Sequence, residues 1–175
     1  MAEATLGSPG GTSPLSRAES ARLLALVLPI ALLGGAYAFQ YIGGLYPCEM
    51  CWWQRYAHAA AILLAAFAFS APAATQRSRM LTLLAALAIA VSGLIGFYHA
   101  GVELKIFEGF TTCTSTAKAA STAELLKQLM KVPLIRCDQV QWSLFGISMA
   151  GWNAIFSLGG ASAVAWLALT GRRAR

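Results

Sequence analysis

Four long stretches almost free of charge, residues 21–42, 52–71, 80–98 and 144–170, leave this chain few folds to choose from. About 20 apolar residues in a helix cross the hydrocarbon core of a bilayer. Lipid cannot hydrogen-bond a backbone, so each crossing segment must satisfy its own amides, which a helix does. Only 11% of the residues are charged and 58% are hydrophobic, whereas soluble domains carry about 25% charged residues. The expected fold is an all-α membrane protein, a four-transmembrane-helix bundle over residues 20–175. Pro29 and Gln40 are the main interruptions of the first run, and packed membrane helices tolerate a proline kink.

Residues 1–19, rich in Gly, Ser, Thr, Pro and Ala, lack the large side chains that offset ordering entropy, so they read as a disordered tail. Arg17 and Arg22, an apolar run and Ala36-Tyr37-Ala38 resemble a cleavable signal peptide. The run continues to Ile42, so an uncleaved first span is expected. The net charge of +6 raises the question of nucleic acid. Its basic residues are neither gathered on one helix nor interleaved with aromatics, so no nucleic-acid partner is expected. Arg17, Arg22, Arg77, Arg79, Arg172, Arg173 and Arg175 instead flank the runs on one side. The positive-inside rule makes that side cytoplasmic. Both termini are then inside, and loops 43–51 and 100–142 face outward.

All four cysteines fall in those two outer loops: Cys48 and Cys51 in the first, Cys113 and Cys137 in the second. The arginines alone set this topology, and it places every thiol where disulfides persist, as in a bacterial periplasm. Two cysteines separated by two residues suit redox exchange or metal binding better than bracing. If a helix starts here, its dipole favours a thiolate at Cys51, and Arg55 lies one turn along the same face. Glu49 inside the pair should raise the thiol pKa values. A structural zinc site usually wants two close pairs, or a pair plus histidines, and Cys113 and Cys137 are 24 positions apart and make no second close pair, so no metal is expected. A c-type haem would need His where Trp52 stands. The competing reading from another class is a non-enzymatic four-span protein with two structural disulfides. It explains the short Cys48–Cys51 ring poorly, because so small a loop constrains an unfolded chain little.

In the second loop, Ser121-Thr122-Ala123-Glu124 fits a capping box, and Leu125, Leu126, Leu129 and Met130 follow at helical spacing. A surface helix or an ordinary solvated one would satisfy that pattern. Gly146, Ala150, Gly151, Gly159 and Gly160 read as close-packing positions of the fourth span.

Three segments together, PCEMCWWQR, FYHAGVE and CDQVQWSLFGISMAGWN, resemble the DsbB family, bacterial inner-membrane thiol:quinone oxidoreductases that reoxidise the periplasmic oxidase DsbA. The resemblance covers nearly all of residues 20–170. It implies that a reduced DsbA-like partner attacks a Cys113–Cys137 disulfide, most readily at Cys113. Cys137 then attacks Cys48, and Cys51 passes electrons to a membrane quinone, ubiquinone or menaquinone. Arg55 would stabilise charge on the quinone oxygen, with interfacial snorkelling as its ordinary alternative. His99 would bond the quinone or supply a proton, and His58 is a second candidate for that contact.

Overall fold

A computed structural model describes residues 15–109 and 136–171, which form four helices and one small hairpin. The helices are α1 (Arg17–Tyr41), α2 (Glu49–Ala68), α3 (Gln76–Glu103) and α4 (Met149–Thr170). Two-residue strands β1 (Ser143–Leu144) and β2 (Ile147–Ser148) precede α4 and pair antiparallel. Among these helices α1, α3 and α4 are long and apolar enough to cross a membrane. Glu49, Gln54, Arg55 and His58 make α2 the polar one.

Expected boundaries shift for local reasons. Helix α1 starts at Arg17, inside the stretch read as tail, because Ser16 and Glu19 form a reciprocal capping box. Helix α3 runs on to Glu103, past the end of its apolar run, because Val102 is buried against the cysteines. It stops in a Schellman arrangement: Ile106 N–H bonds Gly101 O, Lys105 N–H bonds Val102 O, and Lys105 takes φ 61°. The fourth span was expected from Leu144, but β1 and β2 occupy 143–148. Phe145 (φ 53°) and Gly146 (φ 78°) make the doubly positive turn that suits a two-residue hairpin. Gly146 therefore turns the chain rather than packing it. Cys113, the 121–131 helix and Arg172, Arg173 and Arg175 lie outside the described residues.

Helix α3 packs mainly on α2 and α4, and α1 leans on α2 and α4. Small side chains make this possible: Ala25, Ala65, Ala85, Ala86 and Val164 form one buried cluster, and Ala61, Ile89 and Ala161 another. A Cβ on Gly93 would sit 2.8 Å from Leu158, and one on Gly96 3.0 Å from the Ala150 carbonyl, so α3 and α4 nearly touch there. Of the α4 glycines, Gly160 packs under Leu28 of α1 as expected; Gly159 has nothing within 4 Å of its would-be Cβ. Leu23, Val27, Leu87, Leu94 and Ile155 point outward, giving the bundle an apolar exterior.

The up-and-down path brings the C-terminal ends of α1 and α3 and the N-terminal ends of α2 and α4 together. Arg17, Arg22, the α2–α3 turn and Gly171 gather at the opposite end; the Gly171 Cβ direction meets Arg17 and Ala18.

Candidate active site

Pro47 ends the connection after α1, and Cys48 becomes the N-cap of α2, its sulfur accepting from Cys51 N–H at 3.4 Å. The capping sulfur is thus Cys48, and Cys51 stands in the first helical turn behind Glu49. The two sulfurs are 3.0 Å apart as thiols, with Cys48 donating to Cys51. Cys137 joins them from the loop before β1. It is buried with Cys48, Met50 and Val102, and its side chain hydrogen-bonds Cys48. That bond, then the bond to Cys51, then burial push the Cys48 thiol well above its ordinary range. The charge of the pair consequently rests on Cys51, lowered first by the bond from Cys48 and assisted by His99 against desolvation. This agrees with the thiolate expected at Cys51, with the bond from Cys48 as its largest cause.

Cys137 is held in place from α3. The Schellman turn carries Lys105 outward, where its Nζ meets Asp138 Oδ2 at 2.5 Å and the Asp138 carbonyl at 3.0 Å. Arg136 grips the same carboxylate with two bonds, at 2.9 and 2.7 Å. Asp138 is held well below the usual carboxylate range by Arg136 and then Lys105. The residue after Cys137 is therefore clamped to the end of the helix whose Val102 covers the sulfurs.

His99 is buried, with Nε2 3.5 Å from Cys48 Sγ and 3.8 Å from Glu103 Oε1. It lies against the sulfurs, closer to the thiol chemistry than the quinone contact expected of it required. One ligand atom each from Cys48, Cys51 and His99 lie within 4.8 Å of one another. Two cysteines and a histidine at that spacing can seat a metal ion, a donor set hidden in the sequence because His99 arrives from another helix.

Arg55 is buried and turned toward α1. It donates to Gln40 Oε1 and, at 3.1 Å, to the Ala36 carbonyl, with Tyr37 and Trp52 rings 4.8 and 5.0 Å from its guanidinium carbon. His58 is buried too; its Nε2 lies 2.9 Å from Asn153 Oδ1, and its Nδ1 has no hydrogen-bond partner among the described residues. Arg55, His58, Cys51 and His99 all line one cavity of about 370 Å³, walled by α1, the α2 and α4 N-terminal halves and Trp142. Its size falls in the range of small-molecule pockets.

Sequence reasoning missed Gln54, Asn153, Ser92 and Glu103. Gln54 bonds His99 Nδ1 at 3.1 Å and Asn153 Nδ2 at 2.8 Å, and Asn153 reaches Ser92 at 3.2 and 3.3 Å. The available signal was polarity: amides within apolar helices mark function by default, and both stood in segments already singled out.

The protein-family model for disulfide bond formation protein DsbB matches residues 18–167. A disulfide bond formation protein B of Shewanella amazonensis is 32% identical over 146 residues, covering 79% of this chain and 82% of that one. Its counterpart from Burkholderia ambifaria is 32% identical over 150 residues, covering 82% and 85%. An uncharacterised protein of Rickettsia prowazekii is 23% identical over 139 residues, 78% of this chain and 79% of its own. No solved structure matches. Three sulfurs meeting at one end of an apolar helical bundle, and relatives of this length and likeness, lead to one assignment: the chain belongs to the DsbB family of disulfide bond formation proteins.

Proposed function

We propose that this multi-pass membrane protein is a protein-dithiol:quinone oxidoreductase: it reoxidises a DsbA-like thiol oxidase and passes the electrons to a membrane quinone, ubiquinone or menaquinone. In this reading α2 is the fourth span, entering the membrane at Trp52, both termini are cytoplasmic, and the cysteines face the periplasm of a bacterial inner membrane. The apolar exterior and the grouping of Arg17 and Arg22 at the end away from the cysteines support that orientation.

The observation that carries the reading is that a dithiol pair in contact with a third cysteine opens onto an apolar cavity. The partner's thiolate would open a Cys113–Cys137 disulfide at Cys113. Cys137, already hydrogen-bonded to Cys48, is in position to attack Cys48 in the oxidised ring, expelling Cys51 as thiolate. A quinone in the cavity would supply the sink for two electrons and two protons. The lining fits such a group: apolar walls for the ring, guanidinium donors at Arg55 for a carbonyl oxygen, and at His58 Nδ1 a buried acceptor, unpartnered among the described residues, for a hydroxyl of the reduced hydroquinone. Arg55 also holds Gln40 and two aromatic rings, which fixes the wall of α1 against α2.

The test is anaerobic mixing of the purified protein with a reduced DsbA-like protein and ubiquinone-1, following quinone absorbance. Stoichiometric loss of quinone with oxidation of the partner is expected. Thiol oxidation without quinone loss would sink the acceptor assignment. Tight zinc retention by the reduced protein, with no electron transfer, would favour the metal reading of Cys48, Cys51 and His99.

A further inference from the structure

Two backbone carbonyls fix the sense of the buried amide network. Gln54 Nε2 lies 3.2 Å from Met50 O, and Asn153 Nδ2 lies 3.2 Å from Ser92 O. A carbonyl oxygen only accepts, so both nitrogens are the NH₂ ends of their amides. The rest follows without freedom. Gln54 Oε1 accepts from Asn153 at 2.8 Å, and the second Gln54 hydrogen goes to His99 Nδ1 at 3.1 Å. Asn153 Oδ1 in turn accepts from His58 Nε2 at 2.9 Å and Ser157 Oγ at 3.0 Å, which anchors it from α2 and from its own helix. The Ser92 hydroxyl donates to the Gln54 carbonyl at 3.1 Å.

His99 Nδ1 is therefore an acceptor. A neutral imidazole carries one N–H, so its proton is on Nε2, the nitrogen 3.5 Å from Cys48 Sγ; Cys51 Sγ lies within 4.8 Å of the same ring. Glu103 Oε1 lies 3.8 Å from that nitrogen, and Cys137 is the further titratable group acting on the ring among the described residues.

We infer that Gln54 is a positioning residue: locked by Asn153, it holds His99 in the Nε2–H tautomer, so that the imidazole donates to the sulfur centre instead of taking a proton from it. The inference rests on the dithiol reading of the site and is indifferent to the identity of the acceptor. It assigns a task to the glutamine beside Arg55 and to an asparagine a full 99 positions away. Arg55 and the cysteines would hold the electrons' path, and the amides would hold the hydrogen bond that keeps Cys51 charged.

Two measurements test it on the full-length protein in detergent. The chain has only two histidines, so ¹⁵N-histidine labelling gives a spectrum in which His99 is identified by its loss in His99→Gln. The reduced wild-type protein should show His99 protonated at Nε2 and bare at Nδ1; the opposite tautomer overturns the inference. Next, the pH profile of Cys51 alkylation is read by peptide mass. A hydrogen bond to a charged group accounts for about tenfold in the thiolate fraction. Gln54→Met should therefore move the Cys51 midpoint up by about one pH unit, and it should move nothing further in a His99→Gln background. An unmoved midpoint, or an equal shift in both backgrounds, overturns the inference. Neither readout uses a quinone or a protein partner. A negative turnover assay alongside a shifted alkylation profile would defeat the proposed function and leave this assignment standing.

Discussion

The two ends of the bundle satisfy their polar groups in opposite ways. At the basic end most bonds are short-range, and the longer ones, across 10 and 49 positions, finish on backbone. Thr75 caps α3 by accepting from Ser78 N–H, its hydroxyl donates to Pro72 O at 2.7 Å, and the Ser78 hydroxyl donates to Ala68 O. Arg22 crosses to the Ala71 carbonyl and lies over the Phe69 ring. At the cysteine end, side chain bonds side chain across three helices, at sequence separations of 45, 95 and 99. Local bonds terminate helices, and any sequence with the right cap can make them. Long-range amide bonds define which faces meet, and they position His99. One end is joinery and the other is a site. In a low-dielectric interior each member of such a network depends on the rest, so damage should spread at one end and stay confined at the other.

That contrast can be broken in four ways, from the greatest effect downward. Cys48→Ser and Cys51→Ser should each abolish quinone reduction by a dithiol partner while thermal stability in detergent barely changes; retained turnover would remove the cysteine end from the chemistry. Arg55→Ala should lower kcat/KM for quinone about 100-fold or more, the range expected for one lost charge-stabilising donor, with Cys48 and Cys51 still oxidised at rest. Unchanged quinone kinetics would reduce Arg55 to a brace for Gln40. For stability, Asn153→Ala takes away the partner of Gln54 Oε1, His58 Nε2 and Ser157 Oγ, at about 1–3 kcal/mol for each buried group. Thr75→Ala at the other end should cost about 1 kcal/mol, the value of one cap. Equal losses in thermal unfolding would erase the distinction between the ends.

The smallest effect concerns the Asp138 clamp. Because the folded carboxyl is held below its unfolded value of about 4, its contribution is complete above that pH and fades only as acid carries the group through its folded value. Hydrogen-exchange protection over residues 136–140, relative to Asp138→Asn, should therefore hold steady from pH 8 to pH 5 and decline only in stronger acid. A decline beginning at neutral pH would mean that another group sets the loop.

How much could be read from the chain alone follows from the range of each interaction. Hydropathy, proline and arginine act locally, so the helices emerged with ends only a few residues out. Cys48 and Cys51 were legible because two residues of spacing impose contact. Arg55 was legible as a charge in an apolar run, but its partners Gln40 and Ala36 belong to another helix, and nothing in the spacing names them. The approach of Cys137 to Cys48 had to come from the resemblance, because it depends on Lys105 taking a positive φ and meeting Asp138. The α3–α4 approach at Gly93 and Gly96 was overlooked for the same reason. A small residue shows its use only when the facing helix is known.

Cys137 touching Cys48 has one more implication. With Cys48 in reach of both other sulfurs, the forward handover and its reversal start from the same encounter, and the arrangement of atoms carries no arrow. Traffic through the centre must then follow supply and demand. Under the proposed function, a surplus of spent acceptor in the bilayer would drive the same atoms backward, unloading reducing power into the outer compartment.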